Sequence, residues 1–195
     1  MRKRILSVIS ESISVKQSIF QDDKLPGILE EIVMACVGSL RQGGKILFAG
    51  NGGSAADAQH LAAELSGRFY LDRDPLYAEA LHVNTSYLTA VANDYSYEEI
   101  YARLVRAMGR RGDILFALST SGNSGNILRA AAAAKKEGMV VVVMTGAAGG
   151  ELRDLADYLI RIPSNNTPRI QEGHMLVGHL ICELIEEEMF GNVTD

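Results

Sequence analysis

His60 and Glu64 stand four residues apart in "GNGGSAADAQHLAAEL", residues 50–65, a stretch that passes from glycines into a helix-forming sequence. Residues at that spacing share a helix face, so a base and an acid are presented to the same space. Far along the chain, Gln171 and His179 lie eight apart in a second helical stretch, within roughly a quarter turn of one another around its axis. Two helices can therefore offer His/Glu and Gln/His to one pocket. An acid and a base held at one pocket are the groups that proton transfer needs. Taken alone, the His/Glu spacing fits a structural histidine beside a solvated glutamate better.

Two loops have the composition of anion cradles. In "GNGGSAAD", residues 50–57, Gly52 and Gly53 allow a tight turn and close approach to a ligand, and Ser54 is placed to cap the helix that follows. Free N–H groups at such a helix start favour an anion. In "STSGNSGN", residues 119–126, Ser119, Thr120, Ser121 and Ser124 supply four hydroxyls, with Gly122 and Gly125 giving the backbone freedom. Hydroxyls beside helix-terminal N–H groups can hold a phosphate monoester without a lysine. The plainer reading is a Ser/Thr turn that only caps a helix. Neither loop matches GxGxxG followed by an acid about twenty positions on, nor GxxxxGK[ST], which removes the main support for a dinucleotide or a nucleoside triphosphate.

The elements that must position these residues follow from the period of the apolar residues. Helical spacing covers about 5–20 and 25–40, with Pro26 at a helix start, where its missing N–H costs nothing. Five short β-rich runs come next, at 45–50, 78–83, 113–119, 140–146 and 158–163, separated by helical stretches at about 54–69, 97–108 and 124–137; a long helix at about 169–189 ends the pattern. Strands alternating with helices predict a doubly wound α/β fold, a five-stranded parallel sheet covered on both faces. Ligands of such sheets gather outside the carboxyl ends of the strands. Residues 1–195 are expected to form a single domain. Its helical extension, 1–42, carries an apolar stripe that an oligomer interface would bury, as would packing on its own domain. Asn93 and Asp94, in "VANDYS", fall between these elements, where Asp94 reads as a turn former.

Of 195 residues, 47% are hydrophobic and 22% charged, with a net charge of −5 and no block of basic residues. That balance disfavours nucleic acid and anionic membrane as partners. Cys36 and Cys182 lie far apart with no CxxC spacing and read as reduced core thiols. The basic start "MRKR" is followed by Ser10, Glu11 and Ser12 before a signal-peptide core could form. No apolar run approaches the roughly 18 residues of a membrane span. A cytoplasmic protein is expected.

The "STSGNS" loop resembles the phosphosugar-binding loop of sugar isomerase (SIS) domains. With "GNGGSAADAQHLAAEL", "AND" and "RIQEGH" in the same order, the chain is similar to the phosphoheptose isomerase family over nearly its whole length. That resemblance implies an aldose–ketose isomerase converting sedoheptulose 7-phosphate to D-glycero-D-manno-heptose 7-phosphate through an enediol. The reaction would open the route to ADP-heptose precursors of lipopolysaccharide core or other surface glycans. It also implies Glu64 and His179 as the acid/base pair, and one zinc per subunit on His60, Glu64, Gln171 and His179. Substrate contacts would come from Asn51, Gly52, Gly53, Glu64, Asn93, Asp94, Ser119, Thr120, Ser121, Ser124 and Gln171. A homotetramer is implied, in which neighbouring subunits complete each site. His174, roughly 140° round its helix from His179, reads as structural or subunit-facing, and His82 has no assigned role.

Two other readings compete. A non-catalytic SIS module binding a protein partner would lack the carboxylate and histidine present here. An isomerase of another sugar phosphate would use the same hydroxyl loop, because the seven carbons come from the resemblance alone. A sugar-phosphate-sensing regulator would need a DNA-reading domain, for which one fold leaves no room.

Overall fold

The structure, a computed structural model, describes residues 1–191. Helices α1 (Arg2–Phe20) and α2 (Leu25–Arg41) precede β1 (Ile46–Gly50), α3 (Gly53–Ser66), β2 (Ala78–Ala80), α4 (Thr85–Asp94) and α5 (Ile100–Met108). Then follow β3 (Ile114–Leu118), α6 (Gly125–Glu137), β4 (Val140–Thr145), β5 (Tyr158–Arg161) and α7 (Thr167–Phe190). The five strands form one parallel sheet in the order β2-β1-β3-β4-β5. The chain thus winds outward in both directions from β1 and β3, the crevice where doubly wound sheets bind ligands.

Alternation along the strands divides the core in two. Ile46 and Phe48 of β1 and Ile114 and Phe116 of β3 face α2, α3 and α7, and the two phenylalanine rings stack with centroids 4.9 Å apart. Leu47, Ala49, Leu115 and Ala117 face the other way, against α5 and α6. The alanines of α6 bring that helix close to the sheet: Ala130, Ala131 and Ala134 are fully buried. Gly138 ends the helix in the left-handed conformation at φ 75°, as a helix stop should.

Two differences from the sequence reading have local causes. The run expected as strand at 78–83 pairs only over Ala78–Ala80, because the chain turns at Leu81 and His82. Helix α4, absent from the sequence reading, begins where the Asn84 side chain accepts a hydrogen bond from the Tyr87 N–H at 3.0 Å. Asn93 and Asp94 are therefore the last residues of a helix. Cys36 and Cys182 are buried free thiols, and burial pushes both far above the usual thiol range. Among the described residues, no helix is long and apolar enough to cross a membrane.

Candidate active site

The turn between β1 and α3 is tight because its glycines have no side chains. A Cβ on Gly50 would collide with the Ser54 backbone, and Gly52 sits at φ 55°. The helix begins at Gly53, with Gly52 at its cap position and no side-chain capping bond. Ser54 therefore does not cap α3 as its position predicts. It is buried in the first turn, its N–H bonded to the Asn51 carbonyl at 3.0 Å.

Across the crevice, the hydroxyl loop is organised around Ser119. This buried side chain accepts from the Gly122 N–H at 3.2 Å and shares a 3.0 Å hydrogen bond with Ser124 Oγ; Ser121 Oγ lies 3.5 Å away and accepts from the Asn123 N–H at 3.1 Å. Ser121 is exposed and Thr120 half-buried. The free N–H groups at the start of α6 add to this donor group.

A second, glycine-rich segment supports the loop from below. The backbones of Gly122 and Gly150 cross so closely that a Cβ on either would strike the other, and both have positive φ. Leu152 N–H donates to the Gly122 carbonyl at 3.0 Å, Glu151 N–H to Asn123 Oδ1 at 2.9 Å, and Gly146 N–H to the Thr120 carbonyl at 3.1 Å.

The two cradles are joined by Asn51, expected at the substrate, together with residues that sequence reasoning passed over. The side chains of Asn51 and Asn126 form a reciprocal amide pair, each Nδ2 donating to the other's Oδ1 at 2.8 Å. Tyr97 donates to Asn51 Oδ1 at 3.2 Å, and the buried Tyr101 hydroxyl donates to the Gly50 carbonyl. Burial pushes the Tyr101 phenol up, so it stays a donor.

The third part lies along α3 and α7, which pack side by side in the same sense. Gly178 makes the approach possible, since a Cβ there would press into Leu61. His60 and Glu64 face His179 across this seam. His60 Nε2 lies 2.9 Å from Glu64 Oε1 and 3.0 Å from His179 Nε2, and the Phe69 ring packs 5.8 Å from the His179 ring. Donor atoms of all three residues lie within 4.8 Å of one another. Nearby, the Asp57 carboxyl is raised to about 6 by burial, against a lowering pull from His60, and its Oδ2 is buried with no partner.

Residues 14–146 match the family described as SIS domain. The chain is 49% identical over 195 residues to a phosphoheptose isomerase of Burkholderia pseudomallei strain 1710b, covering 98% of this chain and 99% of the relative. It is 48% identical over 192 residues to one from Aneurinibacillus thermoaerophilus, covering 98% and 97%. The chain belongs to the phosphoheptose isomerase family. A solved phosphoheptose isomerase from Francisella tularensis superposes on it with a TM-score of 0.90 at 38% identity, over 95% of this chain and 97% of that one.

Within this phosphoheptose isomerase fold, three of the four residues expected to hold zinc converge. The Gln171 amide rests where a Cβ on Gly53 would be, beside the first cradle. His60 Nε2 lies about 3 Å from both the Glu64 oxygen and the His179 nitrogen, and two imidazoles with one carboxylate are a donor set able to hold a metal ion. Asn93 and Asp94 are exposed at the end of α4, with Asn93 Nδ2 donating to Asp94 Oδ1 at 3.0 Å.

His174, between Gln171 and His179, is fully buried with Nε2 3.3 Å from the Thr145 carbonyl. Burial pushes its imidazole down to about 4, against a small opposing effect of that carbonyl. His82 is half-buried and lowered by burial, with Nδ1 unpartnered.

Proposed function

We propose that this chain interconverts sedoheptulose 7-phosphate and D-glycero-D-manno-heptose 7-phosphate through an enediol, supplying the first intermediate of an ADP-heptose route to lipopolysaccharide core or related surface glycans. The observation that carries the chemistry is the meeting of Glu64 and His179 across the α3–α7 seam, with His60 between them. Aldose–ketose exchange needs a proton lifted from the carbon beside the carbonyl and returned to its neighbour, with a matching exchange between the two oxygens. Glu64 carries the carbon-bound proton. His179 serves the oxygens. Ser121, Thr120 and Ser124, organised by Ser119, hold the phosphate with the N–H groups of α6; Asn51, Gly52, Gly53 and Gln171 face the sugar, with Asn93 and Asp94 at its margin.

Zinc on His60, Glu64 and His179, one per subunit, would polarise the carbonyl and stabilise enediolate charge. Gln171 is the fourth residue of that proposed set. A carboxylate bound to metal is a weaker base, so Glu64 would serve the two demands in turn.

The working molecule is proposed to be a homotetramer in the cytoplasm. In that proposal a neighbouring copy completes each site. Ile5, Leu6, Ile9 and Ile13 of α1 and Leu176 and Leu180 of α7 are exposed apolar residues suited to such contacts.

Proton NMR of the protein with sedoheptulose 7-phosphate, beside Glu64→Gln, tests this reading. An aldoheptose 7-phosphate should appear with the wild type and not with the variant. Phosphosugar binding without turnover in both would favour a non-catalytic SIS module, and turnover of shorter sugar phosphates alone would move the substrate.

A further inference from the structure

Between α3 and β2 the chain forms a strap over the end of α7, and the strap is fixed by a buried ion pair that the acid/base reading does not use. Arg73 and Glu186 have side chains only 3% and 1% exposed, with Nε donating to Oε1 at 2.9 Å. The rest of the guanidinium is spent on backbone: Nη2 donates to the Glu64 carbonyl at 2.9 Å, and Nη1 to the carbonyls of Leu65 at 2.7 Å and Gly67 at 3.0 Å. The Glu64 and Leu65 carbonyls belong to the last turn of α3, and Gly67 is its C-terminal cap; such carbonyls have no partner within the helix and favour a cation. Glu186 accepts in turn from three successive backbone N–H groups, Phe69 at 3.0 Å, Tyr70 at 2.7 Å and Leu71 at 2.9 Å. Burial alone would raise its carboxyl, but these N–H donors and Arg73 hold it below the usual range.

The placement of both ends is telling. Arg73 grips the carbonyl of Glu64 itself. Glu186 is seven residues beyond His179 on α7, within about 20° of the same face, and the strap it anchors lays the Phe69 ring against the His179 ring. A buried ion pair is a poor source of stability, because desolvation offsets its attraction. A rigid fork reaching several carbonyls at once is instead a device for fixing geometry.

We propose that Arg73 and Glu186 form a clamp that sets the separation and orientation of Glu64 and His179, which makes both of them positioning residues for the isomerisation. The clamp rests on the acid/base roles proposed above. It acts on turnover and on the metal affinity of the His60–Glu64–His179 cluster, and leaves the phosphate cradle alone. A displacement near 1 Å at reacting groups can reduce turnover 10²-fold, and losing outer supports of a metal cluster typically weakens binding 10–100-fold.

The test compares Arg73→Lys and Glu186→Gln in the full chain, counting only protein shown to be folded by far-UV circular dichroism. Each should lower kcat by about 10–100-fold, keep KM for sedoheptulose 7-phosphate within about threefold of wild type, and weaken zinc binding about tenfold or more in competition with a chromogenic chelator. Phe69→Leu, which leaves the ion pair intact, should lower kcat by a smaller factor. If the folded variants keep wild-type kcat and zinc affinity, or lose activity only through KM, the clamp is wrong; should neither clamp variant fold, wild-type kcat and zinc affinity in Phe69→Leu overturn it. An inactive wild type would sink the isomerase reading instead, and zinc affinity alone would then decide the clamp.

Discussion

The hydroxyl cradle and the acid/base cluster are built in opposite ways. The cradle is made of short side chains and backbone within 119–126, and its internal bonds join residues no more than five apart. His60 and His179, by contrast, are 119 residues apart, and their meeting depends on how two helices pack. An anion site of the first kind is largely preorganised by its own loop, whereas the second kind has only the geometry that distant packing gives it. Damage to the helices should therefore appear in turnover, and damage to the loop in affinity.

The sharpest separation should come from His179→Gln. Turnover should fall by about 10²–10⁴-fold, the range for a lost acid/base group, while phosphosugar affinity measured by calorimetry stays near wild type. A parallel loss of affinity would merge the two regions. Gly150→Ala attacks the cradle from beneath, forcing a Cβ into the Gly122 backbone at a position with φ 59°. Strain and overpacking together should destabilise the fold by about 2–5 kcal/mol, visible in urea unfolding, and a wild-type midpoint would mean that the crossing relaxes freely.

His174 links the two regions, since it sits on the helix that carries His179 and bonds to the carbonyl at the end of β4. Its imidazole is held neutral down to about pH 4, whereas an unfolded chain takes up the proton near 6.5. The unfolded state thus binds more protons between these values, so this contribution is complete above pH 6.5 and is lost as pH falls toward 4, by at most about 3 kcal/mol. In His174→Gln, urea midpoints should decline less steeply over that window, and an unchanged slope would assign the acid sensitivity elsewhere. The smallest effect should be that of Ser119→Ala with Ser121→Ala, about 10–100-fold in KM from lost hydrogen bonds to a charged group with kcat less affected. A fall in kcat alone would place the phosphate outside this loop.

The same contrast governs what could be read from the sequence. The central strands were legible because a buried parallel strand is a continuous apolar run, as in Ile114–Leu118 and Val140–Thr145. Helix α4 was not, since "TSYLTAVAND" is short and mixed, and its start depends on the Asn84 cap. Within the site, the hydroxyl loop and the His60/Glu64 pair have local spacing and could be found. The Asn51–Asn126 pair spans 75 residues and the Arg73–Glu186 pair 113, so neither leaves a pattern in any short window. Ser54 misled for a subtler reason: the glycine turn starts α3 one residue before it, so a good capping residue ends up inside the helix.

The Asn51–Asn126 pair also bears on how the chain is made. Synthesis proceeds at roughly 5–20 residues per second, so the 75 residues between the two asparagines take about 4–15 s to emerge. For most of that interval β1 has no β3 beside it, and its apolar run must wait or be shielded. The crevice is therefore closed late in the life of the nascent polypeptide, and ribosomal pauses within that stretch should lengthen its exposure to chaperones more than pauses after it.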